Sequence, residues 1–302
     1  MLQITRRTVQ ALVIIFLAVV LSLNLYEGAK VKRDGDWEIK KSAILLHIDK
    51  YLGQREDRST ITNFFNGNIW SLKVKGFAIS DPLAVLSYFI KSKKANIVFF
   101  LSLLIPVFFT VLLGRFFCGW LCPMHLLLEI ADKFKMFLSR IGLPTYDIGV
   151  PLITRHIILG GGVLLGIFAG IEYFQFIYPP RLFSMVIHDI LFGSVLTYGV
   201  WFIVAITAFE FLFSRRLWCR NICPGGTLYS YFGNKALLNV EPVRDGCNNC
   251  LDCRKVCPYA LSPDNGNLDG TCDRCGLCIS ACDKKILDYK LNRAGSKSEQ
   301  TV

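Results

Sequence analysis

Eight cysteines between Cys247 and Cys282 constrain this chain more than any other feature. They read C-N-N-C-L-D-C-R-K-V-C-P and, after a short connection, C-D-R-C-G-L-C-I-S-A-C. This is Cys-x2-Cys-x2-Cys-x3-Cys twice, the spacing that holds a pair of [4Fe–4S] clusters, with the fourth cysteine of each run ligating the other cluster. Cys247, Cys250, Cys253 and Cys282 are therefore assigned to one cluster, and Cys272, Cys275, Cys278 and Cys257 to the second. Asp283 follows the second run where Pro258 follows the first, a departure that leaves the ligands intact. Structural zinc sites would show paired C-x2-C knuckles a longer span apart. A disulfide framework would need an oxidising compartment, and triplets this close are awkward to bridge.

The remainder of the 302 residues is apolar. With 53% hydrophobic residues and 23 phenylalanines, the chain exceeds the soluble norm and reads as a membrane domain with a polar module attached. The net charge of +11 comes with no helix-turn-helix, RNP or zinc-finger pattern, so nucleic acid is excluded in favour of lipid head groups and topology. A first uncharged segment ends near Tyr26, with Arg6 and Arg7 holding its start in the cytoplasm. The residues after that pair fit a twin-arginine signal poorly, so an uncleaved anchor is expected. Residues 27–94 form an outer region closing on an interfacial helix after Asp81-Pro82. A membrane domain over 95–235 follows, with spans near 95–114, 156–178 and 190–213. Pro179-Pro180 stops the third, and Gly162, Gly166 and Gly170 share one face of it. Four spans return the C-terminus to the cytoplasm of a bacterial inner membrane, where a reducing environment keeps thiolates available. Residues 240–290 form the cluster module and 291–302 a disordered tail.

The second and fourth spans end alike, in R-F-F-C-G-W-L-C-P from Arg115 and R-L-W-C-R-N-I-C-P from Arg216. The repeat predicts a duplicated helix pair with both elbows at the cytoplasmic face. Cys118 and Cys122, and Cys219 and Cys223, fall on one side of a turn. They are candidates for a third metal centre, for a dithiol relay, or for buried small residues shaping the helix ends. Glu172, with His188 and Asp189 beyond it, is a candidate quinol pocket; the competing reading is an interfacial carboxylate near the head groups. His47, His125 and His156 are not expected to be ligands. Tyr173, Phe174, Phe176 and Tyr178 read as an interfacial aromatic belt.

With both cysteine signatures placed, the chain resembles the NapH/MauN family of ferredoxin-type proteins. The resemblance rests on the four spans, the C-x3-C-P elbows and the double cluster motif, with G-N-I-W, S-D-P-L and T-R-H as smaller matches. It implies an α-helical membrane domain joined to a small α+β ferredoxin-like domain with two [4Fe–4S] clusters. It also implies a role as the iron–sulfur subunit of a quinol dehydrogenase. Electrons would pass from menaquinol or ubiquinol, through a periplasmic multi-cluster ferredoxin-type partner, toward a terminal reductase in anaerobic respiration. The long outer region leaves open whether that reductase acts on nitrate. A maturation role, supplying electrons or metal while a reductase or oxidase is assembled, stands beside it.

Overall fold

The computed structural model describes residues 2–33, 36–39, 65–68, 71–74, 77–92, 97–142, 148–170, 173–191, 197–234, 236–243, 246–266 and 268–291. Glu172, His47, most of the outer region and the tail beyond 291 lie outside them. The molecule divides into two compact units, one of residues 1–10, 106–160 and 210–302, the other of 11–105 and 161–209.

The chain opens with α1 (Leu2–Ala29), which is apolar between Thr8 and Tyr26. Among the described residues, the stretch 2–23 is the one helix both long and apolar enough to cross a membrane alone. Three shorter apolar helices follow: α3 (Ile97–Leu113), α5 (Ile153–Ala169) and α8 (Tyr198–Phe213). At 1.5 Å per residue they are about 24–26 Å long, slightly less than a hydrocarbon core of about 30 Å. Their outward positions are large and apolar, including Leu104, Phe108, Leu164, Phe168, Trp201 and Leu212.

In the second unit, the strands β1 (Lys30–Arg33) and β2 (Asp36–Ile39) pair antiparallel. A three-stranded meander of β3 (Phe65–Asn68), β4 (Ser71–Val74) and β5 (Phe77–Ser80) leads into α2 (Pro82–Ser92). Asp81 caps α2: its Oδ1 accepts the Leu83 N–H at 2.8 Å, satisfying one of the donors a helix start leaves orphaned. Its other carboxylate oxygen accepts the Tyr178 hydroxyl at 2.6 Å.

The expected third span ends earlier than Tyr178. Gly170, at φ +66°, takes the left-handed conformation that terminates α5, so it closes the helix and does not extend the glycine face. Gly162 does serve as a packing surface: a Cβ there would stand 2.6 Å from the Phe174 ring. Pro179 and Pro180, expected to stop a helix, start one. They open α7 (Pro179–Leu191) after the short α6 (Tyr173–Ile177), because proline is pre-shaped for a first helical turn. His188 and Asp189 consequently end α7 and do not begin the next apolar helix, α8, which starts at Tyr198.

In the first unit, α4 (Pro123–Arg140) is amphipathic with its polarity reversed. Its buried side carries His125, Glu129, Asp132 and Lys135 together with Met124 and Leu128; Ile130, Phe134, Phe137 and Ile141 are exposed at roughly 55–61%. After α9 (Pro224–Gly233), the cluster module is framed by β6 (Leu238–Pro242) and β7 (Leu287–Leu291), paired antiparallel from Leu238–Leu291 to Pro242–Leu287. Between them lie two five-residue helices, α10 (Asp252–Val256) and α11 (Leu277–Ala281). The module's core is small, with Val240, Ile286 and Leu287 packed against Cys253, Cys278 and Cys282.

Candidate iron–sulfur module and cysteine elbows

The two cysteine runs fold the same way, twenty-five residues apart. Asn249, Leu251 and Ala260 have φ of 53°, 61° and 53°; Arg274, Gly276 and Lys285 have 53°, 69° and 51°. Five of these six are not glycine, and left-handed backbone costs such residues roughly 1–2 kcal/mol each. Strain repeated at matched positions is characteristic of a loop shaped for function. In each run the fourth cysteine is turned by the same bonds. The Cys257 N–H donates to Arg254 O at 3.1 Å and the Ala260 N–H to Cys257 O at 3.2 Å. Cys282 to Ile279, at 3.4 Å, and Lys285 to Cys282, at 3.0 Å, repeat the pattern. The turn forms whether proline (Pro258) or aspartate (Asp283) follows.

These turns carry each fourth cysteine across to the other run. One cavity is lined by Cys247, Cys250, Cys253 and Cys282, and a second by Cys257, Cys272, Cys275 and Cys278. This is the partition expected from the spacing. Among the described residues no three cysteine, histidine or carboxylate groups converge on a single-ion site. Four sulfurs around a cavity instead suit a cluster, whose ligands attach at separate corners. Burial raises the thiols of Cys257, Cys275 and Cys278 and pushes Cys272 up to about 11, so without metal they carry protons that cluster binding must displace. Cys247 and Cys250 are exposed while Cys275 is buried, so one cavity faces solvent and the other faces inward.

The inward cavity is held against the elbows. Arg115 and Arg216, the first residues of the two elbow motifs, are both fully buried. Arg115 donates to Thr271 O at 3.2 Å and to Cys219 O at 3.0 Å, and its guanidinium lies over the Tyr259 ring. Arg216 donates to Asp132 at 3.0 Å and to His125 O at 3.1 Å. His125 Nε2 meets Asp273 Oδ2 at 2.7 Å, and Asp273 Oδ1 accepts the Cys275 N–H at 3.1 Å. Burial, then Arg216, keeps the His125 imidazole below its usual range. Burial would raise the Asp273 carboxyl, but its bond to His125 holds it far down. Trp120 Nε1 donates to Arg274 O at 3.1 Å, and Gln10 to Gly119 O at 2.8 Å. Gln3 donates to Cys275 O at 3.0 Å, and Arg6 pairs with Glu129.

Each elbow is a single π turn, a conformation enriched at functional sites. Phe117–Leu121 is closed by the Cys122 N–H donating to Phe117 O at 3.0 Å, and Trp218–Ile222 by Cys223 to Trp218 O at 2.7 Å. Pro123 and Pro224 force the preceding cysteines into extended backbone and open α4 and α9. Burial, with neighbouring thiols adding to it, pushes both Cys122 and Cys223 up to about 12. Cys118 acts on both of these, and Cys122 and Cys223 on Cys219, so the four elbow thiols are neighbours.

Sequence reasoning missed three participants. Glu210, at the end of α8, accepts the Leu217 N–H at 3.0 Å and the Trp218 N–H, satisfying the turn of the second elbow. Arg6, read as a topological charge, is wholly buried against Glu129, which had no assigned role. His188 and Asp189 bond to one another at 3.1 Å near the protein surface. His156 bonds Tyr231.

Gly270 sets how closely the module approaches α9, since an added Cβ would run into Ser230 O and stand 3.2 Å from Asn234 Cα. Gly270→Ala is expected to destabilise the docked module by about 1–3 kcal/mol. Faster amide exchange across 268–278, with α1 unchanged, would register it.

A family described as a 4Fe–4S binding domain matches residues 95–143 and 195–238, the stretches that contain the elbows. The methylamine utilization ferredoxin-type protein MauN of Methylorubrum extorquens is 30% identical over 202 residues, covering 65% of this chain and 67% of that protein. The ferredoxin-type protein NapH of Haemophilus influenzae is 28% identical, covering 72% and 77%, and that of Escherichia coli is 27% identical, covering 73% and 78%. No solved structure matches.

Proposed function

Since this chain belongs to the NapH/MauN family of ferredoxin-type proteins, we propose that it is the membrane iron–sulfur subunit of a quinol dehydrogenase that feeds a terminal reductase. It is an iron–sulfur electron-transfer protein of this family; quinol as donor and a respiratory reductase as acceptor are the proposal. The observation that carries it is the pair of four-cysteine cavities, one at the surface and one packed on the elbows.

Bound clusters would supply one-electron transfer, which divides the two electrons of a quinol. The chain's own residues set the conditions. Arg274 lines the inward cavity beside the Asp273 carboxylate, and Arg115 donates to Thr271 O next to Cys272, so paired charges and N–H donors surround the site and would tune a cluster there. Buried Tyr259 lines it and helps keep water out. Exposed Cys247 and Cys250 leave the outer cavity open to a redox partner. Apolar side chains along α1, α3, α5 and α8 support a four-span arrangement, with α4 lying along the bilayer surface. The elbow thiols, buried and within electrostatic reach of one another, remain the candidate for a third site, a dithiol relay in preference to a single metal ion. Glu172, His188 and Asp189 remain the candidate for taking the quinol protons.

The test is anaerobic. Full-length protein in lipid nanodiscs, given a reduced quinol analogue, should bleach its iron–sulfur absorbance, and a soluble acceptor should restore it. No bleaching in the presence of the family's multi-cluster partner would reject the reading. In a deletion strain, a reductase active with an artificial donor supports electron supply, whereas a metal-deficient reductase supports the maturation role.

A further inference from the structure

Beside the inward cavity lies a second, polar cleft of about 320 Å³ that the electron-transfer reading leaves unused. Three segments wall it. The loop at Ile148–Val150 is tied to the end of α8 by the Ile148 N–H donating to Phe213 O at 2.9 Å. Asn221 of the second elbow donates to Val150 O at 3.2 Å and Pro151 O at 3.0 Å. Arg215 donates to Lys255 O at 3.0 Å, which brings α10 alongside.

Arg215, Arg220, Arg254 and Lys255 all line this cleft, and no carboxylate does. Their charges are compensated unequally. Arg254 is held by both oxygens of Asp264 at 2.7 and 2.6 Å, and Lys255 by Asp252 at 2.8 Å. Asp132 is shared, at 3.0 Å from Arg216 and 3.9 Å from Arg215. Arg220 has no acidic partner among the described residues, and its Nε is buried without a hydrogen bond. A buried guanidinium donor left unpaired costs more than the bond it lacks. Arg220 also has no counterpart in the first elbow, where Gly119 occupies the equivalent place.

We propose that this cleft binds a phosphate-bearing anion, with Arg220 as its principal counter-charge and Lys255 at the rim. The planar fork of Arg220 suits two oxygens of one phosphate, and the volume is that of a small-molecule site. Two sources carry the chemistry. One is the head group of an anionic phospholipid, reachable because the cleft begins where the apolar α8 ends, as basic pockets at the ends of spans do; this arm rests on α8 spanning the bilayer. The other is free phosphate or a soluble phosphate ester.

The full chain in detergent, titrated with inorganic phosphate at fixed ionic strength, gives the first arm. Native mass spectrometry of protein released from nanodiscs of phosphatidylglycerol or of phosphatidylcholine gives the second. Saturable phosphate binding weakened about tenfold in Arg220→Gln, equivalent to about 1.4 kcal/mol, supports a soluble ligand. Retained phosphatidylglycerol that Arg220→Gln releases supports a lipid head group. Arg220→Lys should keep part of either signal, and Lys255→Gln, on the exposed rim, should weaken it less. If Arg220→Gln does not fold, the Lys255→Gln comparison decides. Absence of both ligands in the wild type, or binding indifferent to whichever variants fold, overturns the proposal.

Discussion

Cys257→Ser is expected to abolish the cluster whose other ligands lie in the second cysteine run, leaving the cluster of its own run intact. Anaerobically isolated protein should fall from about eight irons to about four. The double variants make the case sharper. Cys257→Ser with Cys272→Ser removes two ligands of the same cavity, so the iron content should stay near four. Cys257→Ser with Cys253→Ser strikes both cavities and should leave almost none. If the pairing followed sequence order instead, these two outcomes would exchange. Iron and sulfide analysis with electron paramagnetic resonance of the reduced protein reads the answer. Losing the inward cluster should also loosen the module where Cys278, one of the cysteines lining that cavity, packs on the core of Val240, Ile286 and Leu287.

The second large effect is expected at Glu129. Its carboxylate receives wholly buried Arg6 on one oxygen, and Arg7 at 2.8 Å on the other. Glu129→Gln strands a buried guanidinium, and breaking a buried pair in this way costs about 3–5 kcal/mol. Lys133, half exposed and 3.7 Å from the same carboxylate, is the control: Lys133→Ala should cost no more than about 1 kcal/mol. Burial alone would raise the Glu129 carboxyl, but Arg6 and then Arg7 draw it below its ordinary value near 4.5. A carboxyl depressed in the folded state stabilises fully above that ordinary value and loses its contribution as pH falls through the lowered one. The gap between wild type and Glu129→Gln in thermal melts should therefore be constant near neutrality and close progressively below about pH 4.5. A gap that widened on acidification would contradict the pairing.

The grouping of the cysteines was legible because the spacing of the two runs already sorts them into the two sets that line the two cavities. The matched left-handed residues were not, since nothing in Asn249, Leu251 or Arg274 marks them as such; only glycine, at 276, carries that signal openly. Helix ends were misplaced where one residue type serves two purposes. Pro179-Pro180 reads equally as a stop or a start, and Gly170 as a packing face or a cap. Least legible was α4. Periodicity places apolar residues inward in a protein surrounded by water, and this helix does the opposite. Its partners are Arg6, Arg216 and Asp273, too distant in sequence for any local window to include. Arg6 was misread for the same reason: a charge before an apolar run has an obvious topological explanation that hides its pairing.

The inverted helix imposes a schedule on biosynthesis. As the chain emerges from the ribosome, Glu129 can meet Arg6 at once, but Asp132 must wait for Arg216 and His125 for Asp273. Until Arg216 and Asp273 have been made, Asp132 and His125 on that helix have nothing to answer them, and its greasy side offers no reason to turn over. Folding of the cysteine module and burial of this helix's polar side are thus coupled through His125 and Asp273.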